Sequence, residues 1–151
     1  MNALIAKVPL TDKFFYPDAS KSQVKAALDK IYATYKSAID NSAALTNVPK
    51  DVITSFIFIE SNGKVDAISS AGAIGIMQLM TTSASDILVM EKNKGRLSES
   101  EKAVLSANLG KRFTEGIMKM SFLGDKKTVD GVTSATWITK ADLLKPSLNI
   151  L

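Results

Sequence analysis

A chain of 151 residues that is 46% hydrophobic, 23% charged and 7% aromatic fits one soluble globular domain, not a disordered tail or a coiled coil. It has no His and no Cys, which excludes a Ser-His-Asp triad, a Cys-His nucleophile, a thiolate zinc site and a disulfide framework, so carboxylates, hydroxyls, lysines or backbone dipoles must carry any chemistry and no metal or cofactor is expected. Nineteen Lys and Arg against 15 Asp and Glu give +4, but the lysines are scattered and form no basic stripe for nucleic acid, and no segment has the roughly 18 apolar residues of a membrane span.

Residues 1–20 lack helical periodicity and hold Pro9, Phe14, Phe15, Tyr16 and Pro17, which predicts an extended arm whose aromatics pack on the body. Lys7 interrupts the short apolar stretch before Pro9, so no secretory signal peptide is expected. After Asp18 or Ser20 as a cap, Val24, Ala27, Leu28, Ile31, Tyr35, Ala38 and Ile39 recur at helical spacing, and Asn41 to Asn47 reads as a loop. Pro49 suits a first helical turn, and the following Val52, Ile53, Phe56, Ile57, Phe58 and Ile59 are apolar on nearly all faces, which predicts a central, buried helix. It runs into Glu60-Ser61-Asn62-Gly63, where Gly63 offers a left-handed stop. Residues 64–80 predict a packed loop with a short helix starting near Ile74. Thr81 or Thr82 then caps a helix to about Glu91, and Ser98 with Glu101 forms a capping box that opens a helix to about Met120. Turns are expected over 121–136, with Gly124 and Gly131, and one helical turn over Lys140 to Leu144 before Pro146.

Glu60 fits its surroundings least. Three and four residues back stand Ile57 and Phe56, so the carboxylate is expected at the edge of an apolar face. Burial and the negative end of a helix both favour the protonated acid, the form that a general acid in glycoside cleavage needs. The bland alternative is a solvated helix end, or a pair with Lys64. Downstream, Ser69-Ser70-Ala71-Gly72-Ala73-Ile74-Gly75-Ile76-Met77-Gln78-Leu79-Met80 places two glycines three apart without the Lys and hydroxyl of a phosphate loop.

The order Glu60-Ser61, a gap, then Ser-x-x-Gly-Ala-x-Gly-Ile-Met-Gln-Leu-Met resembles the signature of the soluble lytic transglycosylases, goose-type-lysozyme-like enzymes that cleave peptidoglycan glycan strands. Pro146-Ser147-Leu148-Asn149-Ile150 resembles that family's later Pro-x-x-Asn-Ile element. The resemblance implies a mainly α, lysozyme-like domain over 21–151. Glu60 matches the single catalytic acid/base, which protonates the oxygen between N-acetylmuramic acid and N-acetylglucosamine and then takes the muramoyl 6-hydroxyl proton to close a 1,6-anhydro ring. Ser69 matches a serine near the substrate's N-acetyl group, and Met77 and Gln78 match groove-lining residues. Each has a plainer alternative: a loop cap for Ser69, a core methionine for Met77. Gln78 is the stronger candidate, since a buried amide needs partners that sugar hydroxyls can supply. Ser61 and Asn149 are expected to shape the backbone.

A two-carboxylate glycosidase needs a second Asp or Glu about 5 to 9.5 Å from the first. Asp66, the nearest downstream, has no motif support, and the substrate's acetamido group can replace the nucleophile. The chain departs from the family in the longer path from the Met-Gln run to Pro146, which predicts an insertion within about 90–140. It also lacks, by Leu151, the Ala-Tyr-Asn stretch whose tyrosine orients the catalytic Glu. A continuation beyond Leu151, or a wall supplied by another chain such as a virion protein, is the expectation. Alternatives on the same fold are a hydrolytic lysozyme and a non-catalytic phage structural or wall-binding module. Without a signal peptide, a virion is the simplest route to the periplasm or cell wall.

Overall fold

The computed structural model describes residues 20–120 and 127–151; most of the expected N-terminal arm and the turn at Gly124 lie outside them. Helix α1 (Lys21–Thr46) starts at a capping box in which Ser20 Oγ accepts from the Gln23 amide and Gln23 Oε1 from the Ser20 amide. The loop expected over Asn41 to Asn47 is a further helical stretch. Ala43 and Ala44 are strong helix formers, Ser42 is buried and donates to Ile150 O at 2.8 Å, and the helix stops only at left-handed Asn47. At Tyr35 the backbone leaves helical geometry (φ −110°, ψ 20°).

Helix α2 (Lys50–Ser61) is N-capped by Pro49, whose carbonyl accepts from the Val52 and Ile53 amides. It is not buried on all sides as expected. Ile53, Thr54 and Ile57 face α1 and the interior, but Phe56 is 52% and Ile59 46% exposed. An all-apolar helix is buried only on the faces that neighbours cover, and among the described residues one face of α2 is left open. The stop also lies one residue earlier than Gly63, at left-handed Asn62, whose N–H donates to Phe58 O.

No helix begins near Ile74. Residues 62–80 form turns and two isolated antiparallel bridges, Ile68 with Ile74 and Ile74 with Leu79. Helix α3 (Thr81–Asn93) follows with Met80, not a threonine, at its N-cap. The Ser98–Glu101 capping box opens α4 as expected, but α4 (Glu99–Leu109) ends well before Met120 because Gly110 adopts φ 56°, ψ −130°. A π-helical turn (Arg112–Gly116) and a 3-10 turn (Ile117–Lys119) continue the path. A hairpin of β1 (Thr128–Val129) and β2 (Val132–Thr133) turns through Asp130 and Gly131, both at positive φ, the two-residue turn whose twist suits paired strands. Helices α5 (Lys140–Leu143) and α6 (Pro146–Asn149) close the described chain.

Two cores result. The larger surrounds Trp137, which is fully buried and donates Nε1–H to Met120 Sδ, with Val89, Leu105, Leu109, Phe113 and Ile117 around it. The smaller joins α1 and α2 through Ile31, Ile39, Ile53 and Ile57 to Ile150. Burying one such side chain contributes about 1.5–3 kcal/mol. Ile74 belongs to the first core and Ile76 to the second, so the loop that carries Met77 and Gln78 is pinned between them. The stretch 90–140 supplies most of the larger core and does not stand apart from it.

Candidate active site

Glu60 occupies the last turn of α2. Its side chain is exposed, not desolvated as the sequence suggests, and Phe56 one turn back leaves it an apolar but open neighbour. Among the described residues no ion pair joins it to Lys64. The turn after it is held firmly. Tyr35 Oη donates to Gly63 O at 2.7 Å, and α1 approaches so closely that a Cβ at Gly63 would lie 3.0 Å from Ile31 Cγ1. Burial, and then the charge of Asp66, push the Tyr35 hydroxyl above its ordinary range, which keeps it a donor. Periodicity placed Tyr35 only on a helix face, and no local signal shows its reach across 28 residues. Tyr35→Phe is therefore expected to cost about 1 kcal/mol, read as a lower urea midpoint with unchanged slope; no change would mean that water replaces the hydroxyl.

Ser61 Oγ donates to Ile76 O at 2.8 Å and accepts from Gly63 N–H at 3.2 Å. It thereby ties the residue beside Glu60 to the loop of Met77 and Gln78. Ser69 behaves as the loop cap of its plainer reading, its Oγ accepting from Ala73 N–H at 3.0 Å. Gln78 is half-buried at φ 50°, a conformation that a non-glycine residue holds only where its surroundings enforce it. Its Nε2 donates to Ala67 O at 3.1 Å and to Gly75 O at 2.9 Å. Both amide donors are thus used by the backbone, which weakens the expectation that sugar hydroxyls complete them and leaves Oε1 as the group to face a ligand.

Met77 is half-buried and stands where two apolar grooves meet, one of about 260 Å3 beside Val52, Phe56 and Ile150, the other of about 340 Å3 beside Leu88, Leu105 and Leu148. Glu60, Ser69 and Gln78 line neither groove. The structure therefore joins Glu60, Ser61, Met77 and Gln78 through one hydrogen-bonded turn and loop, and Ser69 closes the turn to Ala73 earlier in that loop. Asp66 is exposed and has no bond to this group among the described residues. No helix of the described residues is long and apolar enough to cross a membrane.

Residues 37–122 match the family model described as Transglycosylase SLT domain. No curated protein matches the chain, and no solved structure does.

Proposed function

The chain belongs to the transglycosylase SLT domain family, a lytic-transglycosylase type of domain with a lysozyme-like fold and peptidoglycan as its substrate class, and from that premise we propose that it cleaves glycan strands with Glu60 as the single acid/base. The observation that carries this is the placement of one carboxylic acid at the open end of α2, tied through Ser61 to the Met77–Gln78 loop.

In the proposed reaction the Glu60 carboxyl gives its proton to the glycosidic oxygen as the bond from C1 of N-acetylmuramic acid to that oxygen breaks. The acetamido oxygen of the same sugar bonds to C1 and holds the positive charge that develops there. The Glu60 carboxylate then takes the proton of the muramoyl 6-hydroxyl while that oxygen attacks C1 and displaces the acetamido oxygen. A 1,6-anhydro end forms, no water is consumed, and Glu60 regains its proton. A glycan laid across Phe56 and Ile59 would exclude water from Glu60, so the desolvation that the free chain lacks would come from the substrate itself. Met77 supplies an apolar wall and Gln78 Oε1 an acceptor for a sugar hydroxyl. The exposure of Glu60 favours one competitor, attack by water in place of the 6-hydroxyl. The substrate sets the place of work: the periplasm or cell wall, or a virion that opens it.

Digestion of purified sacculi followed by mass spectrometry of the products decides between the outcomes. Products lighter than reducing muropeptides by one water support the transglycosylase; reducing ends alone would replace it with a hydrolase.

A further inference from the structure

The peptide bond between Ile76 and Met77 is held at both of its polar groups by residues far apart in sequence. Its carbonyl accepts from Ser61 Oγ at 2.8 Å, and its N–H donates to Asn149 Oδ1 at 2.6 Å. Asn149 is 2% exposed, and its Nδ2 donates to Ile74 O at 3.0 Å and Leu143 O at 2.8 Å. The amide can come this close because residue 75 is glycine at φ 78°; a Cβ there would collide with Leu143 O and with the Asn149 amide.

Asn149 is the member of this set that lies outside the turn and loop of the site. Ser61 fixes the peptide to α2, which carries Glu60, Asn149 fixes the same peptide to α6, and Gln78 next in the chain is locked at positive φ by its own bonds to Ala67 and Gly75. With both ends of one rigid peptide plane restrained, the separation of Met77 and Gln78 from Glu60 has little freedom left.

We infer that Asn149 is a positioning residue for cleavage, acting with Ser61 through the Ile76–Met77 peptide to set where the Met77–Gln78 loop stands relative to Glu60. This rests on the function proposed above. A misplacement of about 1 Å can lower turnover by about 10²-fold, and releasing one side of the peptide permits a shift of that size.

A purely structural role predicts something different, and Ser42 separates the two. Ser42 Oγ is buried and donates to Ile150 O, so Ser42→Ala loosens the same C-terminal segment without touching the peptide. The full chain and its Asn149→Ala, Ser61→Ala and Ser42→Ala variants are compared in kcat and KM on purified glycan strands, in urea midpoint, and in hydrogen exchange at the Met77 amide by NMR. Asn149→Ala and Ser61→Ala should each lower kcat by about 10- to 100-fold, with the double variant no worse than the poorer single. Ser42→Ala should lose stability and keep its kcat. An equal fall of kcat in Ser42→Ala at equal loss of stability overturns the inference, as does multiplication of the two losses in the double variant. If the unaltered chain cleaves nothing, the proposed function fails by itself. The inference is then decided by the Met77 amide, which must exchange faster in Asn149→Ala and Ser61→Ala but not in Ser42→Ala.

Discussion

Glu60→Gln should lower the rate of glycan cleavage by about 10²- to 10⁴-fold while leaving the fold intact. The side chain is exposed, and exposed substitutions away from caps and buried pairs usually change stability by less than about 0.5 kcal/mol. The end of α2 is secured without it, by the Asn62 N–H on Phe58 O, by Ser61 on Ile76 O and by Tyr35 on Gly63 O. Gln keeps the length and shape of Glu but has no proton to give and no charge with which to take one back. Release of soluble fragments from sacculi measures the rate, and urea denaturation checks the fold. Glu60→Asp should behave similarly, because the acid is kept but its reach is shortened by one methylene. Undiminished cleavage by Glu60→Gln would move the acid elsewhere, with Asp66 the nearest downstream carboxylate. Binding to sacculi with no cleavage by either form would make the chain a wall-binding module.

What could be seen in the sequence was local. The capping box at Ser98 with Glu101 was legible, and Ser20 was one of two caps offered for α1, because a cap and its partner lie three residues apart and the geometry is set by the first helical turn. Glu60 was legible as the charged residue in the last turn of an apolar helix. Its surroundings were not, since a run such as Phe56 to Ile59 shows how much apolar surface a helix has and not which faces neighbours will cover. The contacts that build the site join Ser61 to a residue 15 positions on and Asn149 to one 72 positions back. Each needs the register of a loop between two cores, and neither periodicity nor turn chemistry encodes that register. Gly110 shows the same limit in a smaller way: Phe113 and Ile117 prolong the apolar pattern past it, yet the glycine's positive φ ends α4.

The largest stability effect is expected at Asp142, which is 2% exposed and bonded on every side. Arg112 donates to its two oxygens at 2.5 and 3.1 Å, and the Thr139 N–H and hydroxyl donate at 2.9 and 2.7 Å; the first of these forms the capping box of α5 together with the Asp142 N–H on Thr139 Oγ1. Burial alone would push the carboxyl up, but the bonds from Arg112 and Thr139 outweigh it and hold it below the ordinary Asp range, while the same pair pushes Arg112 upward. Removing one member of such a pair strands the other charge in a largely dry site, so Asp142→Ala should cost about 3–5 kcal/mol. Replacing both Arg112 and Asp142 by apolar residues should cost less than Asp142→Ala alone, apart from a cap contribution of about 1 kcal/mol at Thr139. Urea midpoints of the singles and the double test this, and Asp142→Asn, which keeps the shape and an acceptor for Thr139, provides a milder variant if Asp142→Ala does not fold. The pH dependence has a definite sign. Because the folded carboxyl binds its proton more weakly than the unfolded one, its contribution is complete above the ordinary Asp value of about 4 and is lost as pH falls through that value and on through the lower folded one. Arg112 stays charged throughout, so the unaltered chain should weaken on acidification in this window while Asp142→Asn weakens less. The effect extends to the site, because Leu143, the next residue, offers its carbonyl to Asn149. A chain that has lost Asp142 should therefore show faster exchange at the Met77 amide before it unfolds as a whole, and protection of that amide down to the global transition would show that α5 and the Met77–Gln78 loop are not coupled.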